Sequence, residues 1–89
     1  MKAVITVTGK DSAGIIARVA TECSTRDANI VDISQSVLGE YFAMIMLADI
    51  DKLNVPFSDF VDSLSALGRE NGLNINTMHE DIFNTMHHI

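Results

Sequence analysis

The chain carries one stretch whose residue types and spacing could do chemistry, Thr8-Gly9-Lys10-Asp11-Ser12-Ala13-Gly14-Ile15-Ile16-Ala17. An alternating apolar run precedes it and a helical pattern follows, so it reads as a tight strand-to-helix turn. Its two glycines permit backbone geometry that other side chains forbid, and close approach of another molecule. Asp11 and Ser12 are residue types that accept hydrogen bonds from the first free N–H groups of a helix. Such a turn can hold a small polar ligand on backbone donors. It can equally be a well-capped turn and nothing more.

The other candidates for chemistry are few. Cys23 is the only cysteine, which rules out an intrachain disulfide. It falls on the apolar side of the helical pattern formed by Ile15, Ile16, Val19 and Ala20, which predicts an inert core thiol. His79, His87 and His88 cluster near the C-terminus with Glu80 and Asp81. Their spacing lacks an H-x-x-x-H pair, so metal ligation would need a folded-back tail or a second subunit, and no metal site is expected. His87 and His88 are expected to meet the C-terminal end of the last helix. Met44, Met46, Met78 and Met86 suit core gap-filling or a subunit contact. No nucleophile is paired with a base, and Gly9-to-Gly14 lacks the G-x-G-x-x-G spacing of dinucleotide sites. No catalytic residue and no cofactor are expected.

The elements that would position the turn are legible. Ala3 to Thr8 is a short β-branched strand with neither face charged, and is expected to be central. A helix is expected from Ser12, fading near Asp27. Ala28-Asn29 should then turn the chain, Asn29 tolerating positive φ. Ile30 to Leu38 alternates, with Val31, Ile33 and Val37 on an expected buried face and Asp32, Ser34 and Ser36 on a polar one. Gly39-Glu40 marks a hairpin, and Tyr41 to Ile50 is a strand apolar on both faces. Pro56 suits a helix start, and Phe57, Phe60, Val61, Leu64 and Leu67 follow at helical spacing. Asn71-Gly72 stops that helix. Leu73 to Met78 is a fourth strand, with Leu73 and Ile75 inward. Ile82, Phe83, Met86 and Ile89 mark a short terminal helix that must bury its apolar stripe on its own sheet or against a partner, the partner being slightly favoured.

The order β-α-β-β-α-β plus a tail predicts an α+β, ferredoxin-like sandwich: a four-stranded antiparallel sheet, two helices on one face, and a short C-terminal helix. Residues 1–80 form the expected domain and 81–89 the tail. Eighty-nine residues allow one domain with a limited core, yet 47% of them are hydrophobic. Self-association is one way to cover the excess. The net charge of −6 and the scattered Lys and Arg residues argue against nucleic acid and anionic membranes. No run approaches the roughly 20 apolar residues of a membrane span. The start lacks a signal-peptide pattern, and a cytoplasmic location is expected.

Three features resemble the ACT domain, a small-molecule-sensing module. Gly9-Lys10-Asp11-Ser12-Ala13-Gly14-Ile15 resembles that family's G-x-D-x-P-G-[IL] turn. Ala28-Asn29-Ile30-Val31 resembles its second-strand start, and the element order matches over residues 1–80. More narrowly, with the tail His79 to His87, the chain is similar to small stand-alone bacterial ACT proteins. These are related to the ACT segments of glycine-cleavage repressors and formyltetrahydrofolate deformylases. The resemblance implies a homodimer with a ligand, such as an amino acid, between the first turn of one subunit and the second-strand start of its partner. Carried over, Asp11, Ser12, Ala13, Gly14 and Ile15 form one side of the pocket, and Asn29 and Ile30 the other. Asn29 would bond the amino or carboxylate group, unless it serves only the turn. Gly14 would admit the carboxylate, unless it serves only close helix–sheet packing. Ala13 stands where many members carry Pro, which leaves the turn less rigid. The resemblance also allows a second outcome, a ligand-free dimerisation or protein-interaction module that regulates a metabolic enzyme or regulator.

Overall fold

The computed structural model describes residues 1–10 and 13–86. Seven elements follow one another: β1 (Lys2–Gly9), α1 (Ile15–Thr25), β2 (Asn29–Leu38), β3 (Tyr41–Asp49), α2 (Phe57–Glu70), β4 (Asn74–His79) and α3 (Glu80–Met86). The strands form one antiparallel sheet in the order β2-β3-β1-β4. This is the expected ferredoxin-like sandwich. Strands β1 and β3, charged only at Lys2 and Asp49 at one end, take the centre, as their apolar faces require.

The core lies between the sheet and α1 and α2. Alternate residues Ala3, Ile5 and Val7 of β1 and Phe42, Met44, Met46 and Ala48 of β3 meet Ile15, Val19 and Cys23 of α1 and Phe60 and Leu64 of α2. Period-two and period-3.6 patterns thus converge on one volume. Gly9 is needed where β1 ends: a Cβ there would lie 2.2 Å from Leu73 Cδ2. At the other sheet edge, Leu73 and Ile75 are buried while Asn74 and Asn76 face water, as the alternation predicts.

Four expectations need correction. Helix α1 begins at Ile15 rather than Ser12, with Gly14 at its N-cap (φ 71°) and no side-chain capping bond from that position. The left-handed backbone of Gly14 ends the turn and delays the helix. The positive φ after α1 belongs to Asp27 (58°), and Asn29 is already in β2, paired with Asp49. Asn54 explains the choice. Its Nδ2 donates to the Thr25 carbonyl at 3.0 Å and to Asp27 Oδ2 at 3.2 Å, which fixes the positive-φ residue two positions earlier.

The third correction concerns β2. None of its ten residues is buried, and Val31, Ile33 and Val37 are 47%, 41% and 70% exposed. Strand β2 is an edge, and a bulge between Ile30 and Asp32 turns Val31 out of register. The face expected to be buried is therefore left largely uncovered by the described residues. Finally, α3 packs against its own β1 and β4, with Phe83 half-buried, while Ile82 and Met86 remain exposed. Ile89 lies outside the described residues.

Candidate functional site

The five described candidate ligand residues, Ala13, Gly14, Ile15, Asn29 and Ile30, fall at opposite ends of the sheet. Gly9, which leads into the turn, pairs with Phe42. Asn29 pairs with Asp49, the residue that also pairs with Lys2 at the far end of β1. The seven steps from Lys2 to Gly9 amount to roughly 23 Å of strand. One copy of the chain therefore does not bring the turn and Asn29 together.

At the turn end, Ala13 and Gly14 are exposed, and the position a Gly14 Cβ would take has no atom within 4 Å. Close packing is thus not why Gly14 is glycine; its φ is. Ile15 is 1% exposed and belongs to the core, so only its backbone faces the turn. Asp11 and Ser12 lie outside the described residues.

The Asn29 end carries an open hollow. It has a volume of about 600 Å³ and is lined by Ala20, Ser24, Asp27, Ala28, Asn29, Ile30 and Lys52. A smaller hollow beside it adds Asp49 and Asp51. Several bonds fix its rim. Asn54 holds Asp27, and the Asn54 N–H donates to the Arg26 carbonyl at 3.1 Å. The Asp51 N–H donates to Asp49 Oδ1 at 2.9 Å. The Met1 ammonium bonds Asp51. That bond and its charge hold the Asp51 carboxyl below its ordinary pKa and raise that of the ammonium. Among the described residues Lys52 makes no ion pair. A small zwitterion would thus find a cation for its carboxylate, and an aspartate and an amide for its ammonium.

Asp27, Lys52, Ala20 and Ser24 escape the sequence reading. Asp27 offers a faint signal, since Asp tolerates positive φ, but Asn29 offers the same one. Lys52 offers none, because only the loop from β3 to α2 brings it to Asn29.

The remaining candidates are structural. Cys23 is buried, and loss of water together with the neighbouring Glu22 charge pushes its thiol pKa up from 9.0 to about 11. A thiol so poised is a poor nucleophile. The His79 ring stacks on Phe57 with centroids 4.0 Å apart. Met44 and Met46 fill the core. Among the described residues no three His, Cys, Asp or Glu side chains converge as a metal site. His87 and His88 lie outside the described residues. Among the described residues no helix is long and apolar enough to cross a membrane.

A βαββαβ sandwich with a glycine turn after its first strand and an open second-strand start defines an ACT module. The ACT domain family model matches residues 2–78, and the chain belongs to that family. Within it, the chain is 48% identical over 86 residues to a UPF0237 protein of Methanococcus maripaludis, covering 97% of this chain and 96% of that protein. It is 40% identical to the solved ACT domain protein from Streptococcus pneumoniae, with a TM-score of 0.81 over 93% of each chain. A formyltetrahydrofolate deformylase from Pseudomonas syringae shares the fold alone, at 17% identity and a TM-score of 0.77 over 88% of this chain and 27% of that one. ACT domains are typically regulatory, ligand-binding modules.

Proposed function

We propose that the protein is a regulatory, amino-acid-sensing ACT module that acts as a homodimer in the cytoplasm, without catalysis. The observation that carries this reading is the placement of the two half-sites. The cavity at Asn29 opens at the first residue of the bare edge strand β2, and the glycine turn lies at the sheet end where β2 finishes. Antiparallel pairing of β2 with β2 of a second copy runs the start of one strand along the end of the other. Asn29, Ile30 and Lys52 of one copy then approach the Asp11–Ile15 turn of its partner.

Asn29 supports the reading further. Its alternative duty as the positive-φ turn residue belongs to Asp27. Backbone geometry therefore does not account for an amide at position 29. The ligand's carboxylate is assigned to Lys52 and the turn N–H groups, and its ammonium to Asp27 and Asn29.

Calorimetry and thermal shift against the twenty amino acids test the proposal, because a ligand that binds only the folded dimer raises Tm. A flat response across the panel would leave the second reading, a ligand-free association module. The exposed Val31, Ile33 and Val37 favour that alternative. A specific protein partner captured with equal efficiency with and without amino acids would support it.

A further inference from the structure

The sheet face turned away from α1 and α2 is separate from the β2 edge and mixes apolar side chains with Asp32, Ser34 and Ser36 of β2. Val4, buried yet outside the main core, lies on it where α3 packs against β1 and β4. Toward β2 and β3 the face is bare. Leu38, Tyr41 and Ile45 are exposed there, beside an apolar hollow of about 360 Å³ between Tyr41, Ala43 and Thr8. The face thus has a ridge on one half and a bare floor on the other. On the ridge, α3 exposes Ile82 and Met86.

Charge decides what can cover it. One residue in five of this chain is charged and the net charge is −6, so most of its surface repels a second copy. This face does not. Inside the Lys2–Asp49 pair at its margin, Asp32 is its one formally charged strand residue, and Asp32 Oδ1 accepts the Ile33 N–H at 2.9 Å. Depletion of charge with Tyr, Met and aliphatic side chains exposed is the composition of an interface core. The bare floor, two strands about 4.8 Å apart and about 25 Å long, gives roughly 240 Å² of flat area. A stable interface uses about 800 Å² of accessible surface per partner. A contact of that size must include the α3 ridge, and a two-fold axis would set each ridge on the other copy's floor.

We propose that this face, with α3, binds a second copy of the chain, so that edge-paired dimers stack into a four-copy assembly. The proposal does not depend on the amino-acid reading. Sedimentation velocity of the full chain from 1 to about 100 µM tests it, with Ile45→Glu on the face and Val37→Glu on the edge. The unsubstituted chain should sediment at four times 9.7 kDa. Either substitution should halve that mass, and the double variant should be monomeric. A dimer that Ile45→Glu alone dissociates would uphold the face contact and overturn the edge pairing. The face contact is overturned if Ile45→Glu leaves the mass unchanged at every concentration, or if the unsubstituted chain is monomeric. A dimer that only Val37→Glu dissociates overturns it too, and leaves the face to a different protein. Leu38→Lys repeats the measurement on the same face should Ile45→Glu lose the native circular dichroism spectrum.

Discussion

Strands β2 and β4 are the two edges of one sheet, and they are finished differently. Strand β4 has six residues, buries Ile75, lies close under α2 and runs directly into α3. A Cβ on Gly68 of α2 would come within 2.8 Å of the Leu73 carbonyl oxygen, which shows how tightly that side is closed. Strand β2 has ten residues and buries none. It carries no Lys or Pro, the residues that usually blunt an edge, and has only a bulge near its start. One edge is completed by the chain's own helices. The other has no buried residue, and the hollow at Asn29 opens beside it.

The largest expected effect sets these edges directly against each other. Ile75→Ala removes a core side chain and should cost about 3 kcal/mol in urea denaturation, whatever the protein concentration. Ile33→Ala, on the same sheet face of β2, should cost well under about 1 kcal/mol for the isolated subunit. Its remaining cost should appear as a Tm that depends on concentration, because it weakens association instead. Equal, concentration-independent losses for both variants would mean that β2 is closed within the chain after all.

A second test probes the closed side through Cys23. Burial raises its thiol pKa from 9.0 to about 11. A raised thiol pKa means that the folded state holds the proton longer. Its stabilising effect is complete below pH 9 and is lost as pH rises toward 11. Between those values the unfolding free energy should fall by about 2 kcal/mol more than in Cys23→Ala. Parallel pH profiles for the two proteins would show that the thiol is hydrated, and that the α1 side of the core is looser than its packing suggests.

A smaller effect belongs to the turn. Gly14 has φ of 71° with open space where a Cβ would go. Gly14→Ala should therefore cost about 1 kcal/mol from the left-handed backbone alone. In a domain of this size that lowers Tm by about 4–8 °C. Greater loss would indicate packing at the turn, and no loss would indicate that the turn relaxes freely.

The contrast between the edges also explains what the sequence could reveal. Leu73 and Ile75 against Asn74 and Asn76 announced a strand with one buried face, and the helix that covers it was equally visible in Phe60 and Leu64. Val31, Ile33 and Val37 announced the same pattern with equal clarity. Alternation records that a face is apolar, not whether the covering atoms belong to the same chain. The turn after α1 shows the other limit. Asp27 and Asn29 both tolerate positive φ, and the choice between them rests on Asn54, 27 residues beyond Asp27. Lys52 enters the cavity by the same loop. Contacts of that range leave no local trace in composition or period.

The smallest structural effect should carry the largest functional one. Asn29 is exposed, begins the edge strand and has no turn to maintain. Asn29→Ala should change stability by no more than about 0.5 kcal/mol. If the bare edge completes a ligand site, however, the same substitution should abolish the rise in Tm that an amino acid produces in the unsubstituted protein. Lys52→Met should weaken that rise with a different signature, since it removes the cation that meets a carboxylate. Amino-acid amides, which lack that carboxylate, should distinguish the two. Lys52→Met should level the responses to acid and amide, whereas Asn29→Ala should depress both. Should Asn29→Ala leave the ligand response intact, the edge serves association alone and any ligand contacts lie elsewhere than at the start of β2.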